Sequence, residues 1–179
     1  YSLSLLKKVF AWARSANPTQ PLTAGVWRLK DGRWRGQQQA DPGAALFDAM
    51  LQLSDILTFH SYEDAANTAR AIDALRSMGR PMICTEYMAR GHGSTFETLL
   101  PLFAENNIGA MHWGLVSGKS QTIYPWRSWV SIIRFWDSLF SGRPDPWHHD
   151  LLHGDGTPYR PQEVQFIRGQ ISRKLGPET

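Results

Sequence analysis

Apolar residues recur along the chain with two different spacings, and the spacing switches back and forth. From residue 2 to about 15, Leu3, Leu5, Leu6, Val9, Phe10 and Ala13 form a helical stripe, with Lys7, Lys8 and Arg14 turned to water. Asn17-Pro18 ends it, because a residue before proline is pushed out of the helical region. Residues 21–27 then read as a short strand, and 28–43 as a polar stretch with turn signals at Asp31-Gly32 and Asp41-Pro42. A brief helix is expected over 44–53 (Leu46, Phe47, Met50, Leu51) and a second strand over about 55–60. Residues 63–78 predict a helix with Ala66, Ala69, Ile72, Leu75 and Met78 on one face and Gly79 as its stop. A third strand at 81–86, a glycine-rich loop at Gly91-His92-Gly93, a helix over 94–106 and a fourth strand at 107–113 follow. The long irregular segment 114–159 and a final helix over 161–175 complete the chain. Strands alternating with helices at this spacing predict an α/β fold, a parallel sheet with helical crossovers. Four such units are too few to close an eight-stranded barrel, which takes about 250 residues.

The third strand carries the first candidate for chemistry. Met82, Ile83, Cys84 and Thr85 form an apolar, partly β-branched run that stops at Glu86. A carboxylate at the end of a buried strand is costly unless it has a partner or a task. It could be a catalytic acid at the mouth of a parallel barrel, or a loop glutamate paired to Arg80 or Arg90. The other strands end in similar company: Trp27 after the first, His60 and Tyr62 after the second, Tyr87 beside Glu86, and His112 with Trp113 after the fourth. Each residue alone has a packing explanation, as a hydrogen-bonded buried histidine, a helix-entry tyrosine or a core tryptophan. Their collection at every strand end favours a site, since the C-terminal ends of strands carry the chemistry of barrels.

Composition narrows the classes. The 179 residues are 42% hydrophobic and 20% charged, enough for one domain with a sizeable core. Eight tryptophans are the unusual number, and they fit carbohydrate stacking as well as core filling. A formal charge of +3 with no run of Lys or Arg argues against nucleic acid and membrane as partners. The one cysteine, Cys84, excludes an internal disulfide and reads as a small core residue. There is no signal peptide and no apolar stretch of about 20 residues. The chain opens at Tyr1 inside a helical pattern, which reads as a processed, truncated or fragmentary chain.

His60-Ser61-Tyr62, Thr85-Glu86-Tyr87 and His112-Trp113-Gly114, in this order and spacing, resemble the second half of a clan A glycoside hydrolase, nearest to the cellulase-like, family-five type of (β/α) barrel. The resemblance runs from about residue 21 to 174, as the fifth to eighth (β/α) units with the fourth helix in front. Segments 119–126 and 147–159 resemble the long eighth loop of bacterial proteins labelled endo-β-glycanases or xylanases. It implies that Glu86 is the nucleophile of a retaining mechanism, with His60 and Tyr62 beside it and Tyr62 hydrogen-bonded to it. It implies sugar platforms at Trp113, at Trp126 and Trp147 farther out, and at Trp27. It further implies a β-glycan or oligosaccharide substrate, no cofactor, no metal, and a secreted or periplasmic setting. The chain departs from the family in one respect. The acid/base glutamate, which follows an asparagine after the fourth strand, has no counterpart, because the chain holds no Asn-Glu pair. Glu63, Glu97, Glu105 and Glu163 fall in predicted helices, and Asp31 and Asp41 in a loop without a matching motif. The isolated chain is therefore expected to be weak or inactive as a glycosidase.

Open strand edges invite pairing, so a homo-oligomer of half-barrels is expected. The apolar run at Ser128 to Phe140 is expected to cap the barrel or to form a dimer contact. Two other classes stand beside this one. His148, His149, Asp150 and His153 could bind metal, with His149 and His153 at a spacing that shares a helical face. A non-catalytic carbohydrate-binding module would keep the tryptophans and lack the acid. A serine or cysteine hydrolase finds no Gly-x-Ser-x-Gly and no placed histidine partner for Cys84.

Overall fold

The computed structural model describes residues 1–27, 29–30, 33–34, 43–126 and 144–175. Within them the elements run α1 (Ser2–Ser15), β1 (Leu29–Lys30), β2 (Arg33–Trp34), α2 (Ala44–Leu53), β3 (Leu57–His60), α3 (Ala65–Arg76), β4 (Met82–Tyr87), α4 (Phe96–Glu105), β5 (Gly109–His112) and α5 (Pro161–Leu175). β3, β4 and β5 form one parallel sheet in that order, and β1 pairs with β2 as a small antiparallel ribbon. The molecule is an α/β protein of successive parallel (β/α) units, as the alternation predicts, and the apolar stretch at 128–140 lies outside the described residues.

Four elements differ from the sequence expectation, each for a local reason. The strand expected at 21–27 reduces to one parallel bridge, Val26 to Phe59. The chain runs beside β3, but side chains take two of its N–H groups: Asp55 accepts from Leu22 N at 2.8 Å and Ser54 Oγ from Ala24 N at 2.9 Å. α3 begins two residues late because Asp64 accepts from Asn67 N at 2.8 Å and so fixes the cap, leaving Glu63 ahead of the helix. α4 begins at Phe96 because Thr95 and Thr98 cap it reciprocally, and β5 starts at Gly109 because Asn107 sits at φ 53°, outside strand geometry.

The core lies between one face of the sheet and the helices that cross it. Leu57 and Phe59 of β3 and Cys84 and Tyr87 of β4 meet Phe47 and Leu51 of α2, Ile72 and Leu75 of α3, and Leu99 and Phe103 of α4. Cys84 is fully buried, and burial pushes its thiol up to about 12, so it serves as core filler. On α1, Phe10 faces inward while Leu5, Val9 and Trp12 are exposed at helical spacing. The N-terminal helix therefore carries apolar residues on two faces.

Candidate active site

β4 does not keep a simple two-residue alternation. Against β3, Phe59 pairs with Cys84 but His60 pairs with Glu86. Against β5, Cys84 pairs with Ala110 and Tyr87 with His112. β4 thus carries one extra residue relative to both neighbours at Thr85–Glu86, a bulge that re-aims the side chains after it. Cys84 and Tyr87, three residues apart, both enter the core, and Glu86 between them is left partly open, its side chain 25% exposed.

The last residue of β3, His60, and Tyr62 just beyond it converge on this carboxylate. The Tyr62 hydroxyl donates to Glu86 Oε2 at 2.6 Å, and His60 Nδ1 lies 3.1 Å from the same oxygen. Burial, and then the hydrogen bond to Glu86, pushes the Tyr62 pKa above its ordinary range, so the hydroxyl keeps its proton and goes on donating. Trp27, Trp113 and Trp126 expose 52%, 45% and 38% of their surface. The Trp27 ring is tilted 57° to that of His60 with centroids 6.1 Å apart, and Trp126 meets Tyr62 edge-on at 5.0 Å. Trp113 follows β5 and donates its N–H to the Tyr87 carbonyl at 2.8 Å.

Trp147 lies elsewhere. It is 2% exposed and stacked on Tyr159 with centroids 4.3 Å apart and planes 5° from parallel. With its indole face covered by Tyr159, it cannot be the outer sugar platform expected from the sequence in this conformation. The histidine-rich run is also placed differently from the metal reading. Residues 148–153 are not helical, so His149 and His153 share no helical face. The His153 ring packs on Trp147, while both oxygens of Asp150 accept from Thr122 Oγ1 at 2.8 and 2.9 Å. Among the described residues, no group of three or more His, Cys, Asp or Glu side chains is arranged to hold a metal.

Neither arginine offered as a partner for Glu86 is used that way. Arg80 donates to the carbonyls of Leu51 and Ser54. Arg90, just after β4, is buried and donates to both oxygens of Glu163 on α5, Nε at 2.8 Å and Nη2 at 2.5 Å. It also donates to the carbonyls of Trp147 and Asp150 and lies over the Tyr159 ring. This fork ties the end of β4 to the eighth loop and the last helix. Asp55, Asp64, Asp145, Asp150, Asp155 and Glu163 all have hydrogen-bond partners of their own away from Glu86.

Sequence reasoning assigned no site role to Met88 and offered His149 only as a metal ligand. Met88 is buried at φ 90°, a conformation that strains any residue with a Cβ. Its N–H donates to Ser94 Oγ at 3.1 Å, and its carbonyl accepts from His149 Nδ1. Gly114 makes room for His149, since a Cβ there would stand 2.6 Å from His149 Cβ, and its own φ is 88°. The left-handed conformation at Met88 has no sequence signal, and the glycine of His112-Trp113-Gly114 is the one visible trace of this packing.

No protein-family model and no curated protein matches the chain. Among solved structures, the endo-β-1,4-mannanase from Thermotoga petrophila is similar in fold over 99% of this chain, with a TM-score of 0.55 and 18% sequence identity. The match takes in 40% of that enzyme, so the chain spans two-fifths of its length. The likeness is one of fold, a part of a (β/α) barrel.

Proposed function

We propose that this chain carries the nucleophile side of a retaining glycoside hydrolase site of the family-five kind, acting on a β-linked polysaccharide or oligosaccharide. The observation that carries the reading is the setting of Glu86. It is a half-open carboxylate at the C-terminal end of a parallel strand, held through one oxygen by Tyr62, with no arginine or lysine neutralising it among the described residues. Exposed tryptophans beside it, and a fold shared with part of a mannanase, support a sugar as ligand.

In this reading a Glu86 oxygen attacks the anomeric carbon, the glycosidic C–O bond breaks, and a glycosyl ester forms on the carboxylate. The departing oxygen needs a proton. A retaining site takes it from a second carboxyl group about 5–5.5 Å from the first. The chain offers no motif for that group, and Asp55, Asp64, Asp145, Asp150, Asp155 and Glu163 are hydrogen-bonded to partners other than Glu86. In this reading the acid comes from outside this chain, and the chain alone cleaves unactivated glycans weakly.

Incubation with a dinitrophenyl deoxyfluoro-β-mannoside or -glucoside tests this directly. Dinitrophenolate leaves without protonation, so ester formation needs only the nucleophile. Intact-mass measurement should show one deoxyfluoroglycosyl adduct per chain, mapping to Glu86 and absent in Glu86→Gln. The second reading, a non-catalytic carbohydrate-binding module, is favoured by the same exposed tryptophans. It predicts oligosaccharide binding with no adduct.

The partner that completes the sheet belongs to this proposal as well. Met111 of β5, Leu115 beyond it, and Leu5, Val9 and Trp12 of α1 are exposed. Pairing of two half-barrels would cover such surface, and light scattering should give twice the chain mass. A sharp monomer at micromolar concentration contradicts the pairing but leaves the Glu86 reading standing.

A further inference from the structure

His149 comes from the histidine run that invited a metal reading, and its ring is committed in another way. Its Nδ1 faces the Met88 carbonyl, which can only accept, so Nδ1 carries the hydrogen. Nε2 is then a bare lone pair, buried and without a hydrogen-bond partner among the described residues. Burial pushes the His149 pKa below its ordinary 6.5, against the opposing pull of the Met88 hydrogen bond, which keeps the ring in this neutral form. The ring stands 5.5 Å from the Tyr62 ring and 5.5 Å from Trp126, which itself meets Tyr62 edge-on at 5.0 Å. The backbone of His149 is fixed from below by its N–H on the Thr122 carbonyl at 3.1 Å.

These contacts reach Glu86 by two routes. Through Met88, His149 holds the strand end two residues beyond the carboxylate, in a left-handed conformation that needs such support. Through its ring, it walls in the tyrosine whose hydroxyl is 2.6 Å from Glu86 Oε2. We propose that His149 is a positioning residue for Glu86, setting the carboxylate's direction through the Met88 carbonyl and the Tyr62 ring. The proposal rests on Glu86 being the nucleophile and adds a residue from the eighth loop, about sixty positions later in the chain.

Three substitutions separate this from plain packing. In His149→Asn the side-chain amide places an N–H near the site of Nδ1 and keeps the donor to Met88. In His149→Gln the amide falls near the site of Nε2, and His149→Phe keeps a ring but has no donor. Adduct formation with the deoxyfluoroglycoside should fall about ten-fold or more in the Phe and Gln variants, and stay within about three-fold of the wild type in Asn. Equal rates for Asn and Phe, or a Phe variant as fast as wild type, overturn the proposal. If the Phe variant fails to fold, the Asn and Gln pair decides by the same criterion.

A second readout does not depend on activity. The Tyr62 hydroxyl proton should appear as an exchange-protected resonance, assigned by its loss in Tyr62→Phe. It should persist in His149→Asn and broaden away in His149→Gln. If the wild type gives no adduct, the function reading fails, and this proton alone decides whether His149 positions the carboxylate. Persistence in every His149 variant sinks the proposal in that case too.

Discussion

Two glutamates flank the strand end at β4, and they are held in opposite ways. The Glu163 side chain is 4% exposed and receives two N–H groups from the Arg90 guanidinium, whose remaining donors are taken by backbone carbonyls. The Glu86 side chain is 25% exposed and is met through one oxygen, by a neutral hydroxyl and an imidazole. A carboxylate saturated by a buried guanidinium is a lock. One steadied by a phenol and left partly open can still attack. The difference shows why a charged residue near a strand end is not by itself a site, and, on the proposed function, which surroundings turn Glu86 into one.

The comparison breaks most sharply at the lock. Arg90→Ala leaves Glu163 charged and buried, and should cost about 3–5 kcal/mol of stability in denaturant unfolding. A loss under about 1 kcal/mol would mean that the pair is not buried in solution. Arg90→Lys should recover little, since an ammonium cannot reproduce the fork onto both Glu163 oxygens. Gly114→Ala comes next. It drives a Cβ into His149 from a left-handed backbone and should cost about 2 kcal/mol, with displaced Tyr62 ring signals by NMR.

Acid sharpens the contrast further. Burial first, then His149 and His92, depress His148 to about 3, against an ordinary value of 6.5. The unfolded chain takes up this proton near 6.5 and the folded chain does not until about 3. Folding stability should therefore fall as pH drops through that window, by up to about 1.4 kcal/mol per pH unit for this residue. His148→Phe should flatten the slope, and an unchanged slope would mean that the imidazole is hydrated in solution. The smallest stability effect belongs to Glu86→Gln, expected within about 1 kcal/mol of wild type. A large loss there would make Glu86 a structural residue like Glu163.

Much of the framework is readable along the chain because it rests on short-range signals. The alternation of runs predicts the parallel units, and the carboxylate at the end of the apolar run 82–85 points to Glu86. His60 and Tyr62 come into place because they end and follow the strand that pairs directly with β4. What was not legible depends on partners far away in sequence. Arg90 meets Glu163 across 73 positions, and that distance is why Arg90 could equally be expected on Glu86. Trp147 looks like the other exposed tryptophans until Tyr159 is folded against it. The bulge in β4 and the left-handed Met88 follow from packing against both neighbouring strands and the eighth loop, and no residue type announces them.

The most direct test of the central account is the pre-steady-state release of dinitrophenolate from a dinitrophenyl β-mannoside or β-cellobioside. A working nucleophile without its acid/base partner predicts a burst approaching one equivalent per chain, then slow turnover, with the burst gone in Glu86→Gln. No burst on either substrate, or one that survives Glu86→Gln, would contradict the assignment of Glu86 as the attacking carboxylate.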